Sequence, residues 1–283
     1  MSKRPKIRYA DLLKEIASGS AWSVFVDDTG PAGCSASPET LPPDRRTYVS
    51  VVLSPEDGRT LMEQMPGFLQ ELRSVTGASE LHCSDLYAGK GELARTPLAV
   101  RLAALEAMAE IFAQHRFPVL VQSVDSASAK ELIRAFGSLE RSPRLPFRFD
   151  HFEDIALFVV LLRTRWYLKE RASPDAGAIV FVDEGWKPNG IALRIGPWSP
   201  MFKYGCIFFG RSEDIVGLQL ADFAGFILTR SQLLLGKTDL SPLDLAVLEI
   251  GRRLCFVNLN TVEFSLAETA PGRFGLGPTG VTN

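Results

Sequence analysis

The chain has no Cys-x-x-Cys pair. Its four cysteines, Cys34, Cys83, Cys206 and Cys255, are scattered. That spacing argues against a cysteine zinc site and predicts free thiols in a reducing compartment. An excess of charge is missing too: Lys plus Arg is 31 against Asp plus Glu at 33, a formal net charge of -2. No global basic field draws nucleic acid, so such binding needs a local patch. Two clusters offer one: Arg141, Arg144 and Arg148, and then Arg163, Arg165, Lys169 and Arg171. Both also read as a solvated loop and a solvated helix face. The longest apolar run, Ile155-Ala156-Leu157-Phe158-Val159-Val160-Leu161-Leu162, falls far short of the ~20 residues a membrane span needs. The basic start, Met1-Ser2-Lys3-Arg4-Pro5-Lys6, has no apolar segment behind it, so it does not read as a secretory signal. These absences predict a cytoplasmic protein without a membrane partner.

What is present is a regular alternation of strand-like and helix-like segments. An amphipathic helix is expected over 8–18, then a strand over 22–26. A loop rich in Pro, Gly and Ser follows over 30–46, and a β-branched strand over 47–53. Ser54-Pro55-Glu56-Asp57 opens a helix expected to reach about Val75, with a kink or break at Pro66-Gly67. Further helices are expected over 96–114, 127–136 and 151–171, with a strand over 118–124. A strand over 178–182 follows, and another within 201–209. Ser212 is expected to N-cap an apolar helix to about Arg230, and Ser241-Pro242 one to about Arg253. The alternation predicts an α/β fold with a mixed sheet. The organisation expected is an N-terminal helical extension over 1–20, one domain over 21–258 and a tail over 259–283.

Three carboxylates stand where apolar segments end or where an apolar helix should carry none. Asp27 ends Val24-Phe25-Val26, Asp183 ends Ile179-Val180-Phe181-Val182, and Asp222 interrupts Leu218-Gln219-Leu220-Ala221-Asp222-Phe223. A buried carboxylate needs a partner charge, hydrogen bonds or a metal. If the two strands are neighbours and the helix packs beside their ends, the acids converge as oxygen ligands for a hard divalent cation. The plainer alternatives are turns at Asp27-Asp28-Thr29-Gly30 and Asp183-Glu184-Gly185. For Asp222 the alternative is a loop cap or a pairing with arginine. Gln219 shares a helix face with Asp222. Glu80 and His82, two apart, share one side if extended.

These segments resemble the family known as domain of unknown function DUF3800. Val24-Phe25-Val26-Asp27-Asp28-Thr29-Gly30 is similar to its opening strand and Asp-Glu-Ser-Gly motif. Here Asp28-Thr29 stands in place of Glu-Ser, one methylene shorter at the acid. Glu80-Leu81-His82-Cys83-Ser84-Asp85-Leu86, with Gly89-Lys90-Gly91, resembles the family's Glu-Leu-Lys/His-x-Ser-Asp segment. Val182-Asp183-Glu184 resembles its late strand, and Gly217-Leu218-Gln219-Leu220-Ala221-Asp222-Phe223 its Leu-Gln-Leu-Ala-Asp helix. The resemblance implies a ribonuclease-H-like fold and a metal-dependent nuclease or phosphodiester hydrolase acting on DNA or RNA. It implies that Asp27, Glu80, Asp183 and Asp222 hold Mg2+ or Mn2+ and form the catalytic set. Asp28, His82, Asp85, Glu184 and Gln219 take supporting places, with Gln219 expected to orient a carboxylate and His82 a candidate for proton transfer.

A non-enzymatic reading stays open: a nucleic-acid- or protein-binding module of the same fold whose acids bind no metal. A protein partner or a second copy of the chain also stays open. Two other readings fail on the residues. Asp28-Thr29-Gly30 matches an aspartic-protease loop, but no second Asp-Thr-Gly or Asp-Ser-Gly exists in the chain, and that chemistry needs two carboxylates sharing a proton. Asp183-Glu184 ends a strand as in a P-loop ATPase, but no phosphate-binding Gly-x-x-x-x-Gly-Lys-[Ser/Thr] partners it.

Overall fold

The structure is a computed structural model and describes residues 7–29, 45–78, 80–136, 145–173 and 176–257. The strands are β1 (Trp22–Asp28), β2 (Arg46–Leu53), β3 (Pro118–Val124), β4 (Ala178–Asp183), β5 (Ala192–Arg194), β6 (Cys206–Gly210) and β7 (Cys255–Phe256). The helices are α1 (Tyr9–Ala17), α2 (Pro55–Thr76), α3 (Cys83–Ala88), α4 (Leu98–His115), α5 (Ser126–Phe136), α6 (Phe152–Arg171), α7 (Val216–Leu234) and α8 (Pro242–Arg253). Together they make an α/β fold around one seven-stranded mixed sheet in the order β5-β6-β4-β1-β2-β3-β7. β1, β2 and β3 form an antiparallel meander, while β4 pairs parallel to β1 and β6 parallel to β4.

Strand alternation sends odd and even residues of β1 to opposite faces. Phe25 joins one core with Phe181 and Phe208, under α1, α2, α4, α7 and α8. Val24 and Val26 join the other with Val180 and Val182, under α5 and α6. Phe25 pairs with Phe181 and Val26 with Val182. One further step along both strands brings Asp27 level with Asp183, both on the α7 face. Adjacent strands and alternation thus place two of the three acids side by side.

Several local expectations are corrected. α2 runs unbroken through Pro66-Gly67, with Leu61 and Met65 buried before the proline and Leu72 after it, so packing on both sides keeps the helix continuous. The strand expected within 201–209 is present as β6 from Cys206, after a 3-10 turn over 203–205 with Tyr204 at φ 63°. α7 starts at Val216 with Ile215 as its N-cap, so Ser212 is not the cap. The helix after Pro97 begins at Leu98, with no side-chain cap. β5 and β7 were not expected, being too short to show alternation. Helix α1 is no appendage: Leu12 and Ile16 are buried in the α7-side core, and Tyr9 Oη donates to the Phe209 carbonyl. The basic cluster on α6 is a solvated face only in part, with Lys169 and Arg171 exposed. Every residue from Asp154 to Leu162 is buried, and Arg163 and Arg165 are partly so, burial lowering both guanidinium pKa values. Ser54 and Ser241 cap α2 and α8 as expected, Ser241 in a capping box with Asp244. The 30–44 part of the 30–46 loop, Arg141, Arg144, Cys34 and the 259–283 tail lie outside the described residues.

Helix α7 lies against β1 and β2 closely because two of its residues have no side chain. A Cβ on Gly217 would stand 2.3 Å from the Phe25 ring, and one on Gly225 would stand 3.0 Å from the Thr29 methyl. Asp222 sits between these two contacts. Gly217→Ala is expected to push α7 off β1 at a cost of about 1–3 kcal/mol. A thermal melt checks this, and an unchanged midpoint would refute the close-packing account.

Candidate active site

A cavity of about 370 Å³ opens where the ends of β1 and β4 meet α3 and α7. Its walls carry Asp27, Asp28, Asp183 and Asp222 together with His82, Ser84 and Ser212. Three of the four acids expected to bind metal therefore face one space. Asp27 follows the last paired residue of β1 with β4, Asp183 ends β4, and Asp222 is on α7.

Asp28 and Asp183 flank the turn after β4. A methyl built on Gly185 would lie 3.7 Å from Asp28 Oδ1 and 3.9 Å from Asp183 Oδ2, at ordinary contact distance from both carboxylates. Asp27 and Asp222 keep some surface toward the cavity but lie deep in the protein. Among the described residues none of Asp27, Asp183 and Asp222 is in an ion pair. Their hydrogen bonds come mostly from the backbone: Asp28 N–H to Asp27 Oδ1 at 2.8 Å, Gly185 N–H to Asp183 Oδ2 at 3.4 Å, and Cys83 N–H to Asp222 Oδ2 at 3.2 Å.

The electrostatic consequence is direct. Burial, then the charges of Asp222, Asp183 and Asp28, push the Asp27 carboxyl well above its ordinary range. Burial raises Asp183 as well, against the N–H groups of Gly185 and Glu184. Burial pushes Asp222 up to about 6, against the Cys83 N–H and the nearby His82. The donor chemistry, hard carboxylate oxygens that share one cavity and form no ion pair among the described residues, fits a divalent cation. Among the described residues, no three His, Cys, Asp or Glu side chains close into a ready-made ligand set.

The remaining expected residues fall into two groups. Glu80 stands beside the cavity rather than on its wall: it accepts a hydrogen bond from Ser212 Oγ, and its Oε2 lies 3.5 Å from His82 Nε2. Freed from capping α7, Ser212 thus ties the Glu80 segment to the β6–α7 turn. Gln219, 2% exposed, orients backbone rather than a carboxylate: it donates to the Ser212 carbonyl at 3.1 Å and accepts from Leu81 N–H at 3.4 Å. Asp28 is held by Arg46, which also bonds Glu153 of α6. Glu184 is exposed in the turn after β4. Asp85 points toward Gly91, away from the cavity. The other wall was not foreseen: Phe226, Thr229, Arg230 and Leu233 of α7, with Leu81. The signal was available, because Phe226 and Arg230 stand four and eight residues after Asp222, on one helix face.

The fold and site define an α/β protein with an acid-walled cavity at the ends of two parallel strands. No helix among the described residues is long and apolar enough to cross a membrane. Compared with protein-family models, with curated proteins and with solved structures, the chain finds no match.

Asp222 carries a pH prediction. Its folded pKa of about 6 lies above the ordinary 3.8. The proton it retains in the fold stabilises the metal-free protein fully below about pH 4, and that contribution is lost as pH rises through 6. Asp244 works in the opposite sense. Despite its burial, hydrogen bonds from Lys237, Tyr87 and Ser241 hold it far below the ordinary range, so its contribution is complete above about pH 4. In EDTA, Asp222→Asn should therefore melt a few degrees above wild type at pH 8, with the gap closing toward pH 4. Parallel melting curves across that range would count against a strained Asp222.

Proposed function

We propose that this protein is a divalent-metal-dependent phosphodiester hydrolase, a nuclease of ribonuclease-H-like type that takes Mg2+ or Mn2+ and acts on DNA or RNA. The observation that carries the reading is the meeting of Asp27, Asp183 and Asp222, from two adjacent parallel strands and one apolar helix, in a single cavity, with none of the three in an ion pair among the described residues. An acid cluster repels a phosphodiester unless a cation stands between them. The sheet order supports the fold side of the reading, as an antiparallel β1-β2-β3 meander extended beyond β1 by parallel strands. So does the resemblance to DUF3800, whose motif positions Asp27, Asp183 and Asp222 are the ones that meet.

Asp27, Asp183 and Asp222 would hold the metal, with Glu80 close behind. When bound, such ions polarise the phosphoryl oxygens and lower the pKa of water to yield a nucleophile. The chain's own part is positional. Gln219 and Ser212 hold the segment that carries Glu80 and His82 against α7. Exposed at the cavity mouth, His82 is placed to exchange a proton with solvent.

Labelled single- and double-stranded DNA and RNA, incubated with Mn2+, Mg2+ or EDTA, test this. Metal-dependent cleavage by wild type that falls at least about 100-fold in folded Asp183→Asn is the expected result. Absence of cleavage of every substrate would reject it in favour of a metal-free binding module. One observation favours that second reading: Asp222 already receives the Cys83 N–H at the start of α3, as a cap would. Thermal melts separate the two. A nuclease site should give wild type a Mn2+-dependent rise in Tm that Asp222→Asn loses, whereas a capping role predicts no shift in either protein.

A further inference from the structure

The cavity has two unlike ends. One holds the acids; the other, formed by the second half of α7, holds Phe226, Arg230 and Leu233. Arg230 lies eight residues beyond Asp222, about 12 Å along the helix axis. It is the only cation on α7. Its position is set with care: the guanidinium lies 4.3 Å from the Tyr87 ring centroid, and Nη2 donates to Tyr87 Oη and, at 3.2 Å, to Asp244 Oδ1. Asp244 does not depend on Arg230 for neutralisation, since Lys237 Nζ lies 2.6 Å from its other oxygen. Two polar atoms on this wall, Arg230 Nε and the hydroxyl of Thr229 (9% exposed), are buried with no hydrogen-bond partner among the described residues. Such groups call for a water or a ligand. Phe226, partly exposed, is braced against Tyr87 at 5.6 Å between ring centroids.

A fixed guanidinium beside an apolar, aromatic-walled recess matches the two halves of a nucleotide, phosphate and base face. We infer that this end of the cavity is a nucleotide subsite: Arg230 takes a backbone phosphate, and Phe226 and Leu233 take the flat face of an unpaired base. Bases in an intact duplex are stacked and cannot enter a recess without being extruded. The substrate class is therefore single-stranded or locally unpaired nucleic acid. This rests on the nuclease reading for the chemistry performed next door, but binding tests it separately.

The measurement is fluorescence anisotropy of a labelled single-stranded oligonucleotide and its duplex, titrated with the full chain in Ca2+ at 50–200 mM salt. Gel analysis confirms that the probe stays intact. The single strand should bind at least about tenfold tighter than the duplex. Arg230→Gln should weaken single-strand binding about tenfold and reduce the salt slope by about 0.7, one phosphate contact. Arg230→Lys should keep that slope. Phe226→Leu should weaken binding about fivefold at every salt concentration without changing the slope. Melting curves identify any variant that fails to fold, and the conservative Arg230→Lys and Phe226→Leu then decide. Equal binding of duplex and single strand, no binding of either, or binding indifferent to Arg230 and Phe226 would overturn the subsite. Cleavage that persists alongside such indifference removes the subsite alone. Loss of all cleavage alongside the expected binding differences removes the nuclease reading and leaves the subsite standing.

Discussion

The arrangement depends on the close seat of one helix on the sheet. α7 rests on the Phe25 ring at Gly217 and on Thr29 and Val49 at Gly225. A larger residue at Gly217 forces the helix outward, because the interior has no slack to absorb a methyl group at 2.3 Å. The same contact serves two ends. It closes the larger core over Phe25, Phe181 and Phe208, and it carries Asp222 to the strand ends where Asp27 and Asp183 emerge. An outward shift of α7 would loosen the core and open the acid cluster together.

That cluster works against stability. Burial raises the carboxyl pKa values of Asp27, Asp183 and Asp222, with the charges of Asp222, Asp183 and Asp28 adding to it at Asp27, so keeping them ionised at neutral pH costs the metal-free fold free energy. The surroundings offset the cost with rigid backbone donors at Asp28, Gly185 and Cys83 rather than with arginine or lysine. Backbone N–H groups satisfy carboxylate oxygens without neutralising the site, which leaves net negative charge for a cation to meet. Charges compensated elsewhere in the protein show the contrast: Asp244 is buried between Arg230, Lys237, Tyr87 and Ser241 and is correspondingly acidic.

Two further tethers bring distant segments to the cavity. Gln219 joins α7 to Leu81 and Ser212, and Ser212 in turn bonds Glu80. Through Arg230, Tyr87 and Asp244 the other end of the wall is tied to α3 and α8. A single helix thus presents an anionic and a cationic group to one cavity two turns apart, each fixed by a different neighbour.

Sequence alone carried the α/β alternation, most strand and helix positions, the caps at Ser54 and Ser241, and the choice of Asp27, Asp183 and Asp222 as acids out of place. All of these are local signals: side-chain period, capping chemistry, and charge in an apolar run. It allowed a break at Pro66, where the helix continues with Leu61, Met65 and Leu72 buried on both sides. It misjudged Ser212, whose hydroxyl goes to Glu80, 132 residues earlier in the chain. Only the tertiary structure decided that β1 and β4 are parallel neighbours in the Phe25–Phe181 register, that Glu80 stands behind the cavity while Asp85 turns away, and that Arg230 shares the wall with Asp222. Those facts depend on strand pairing and helix seating between segments far apart in the chain, and no local pattern encodes which pairing buries the most apolar surface.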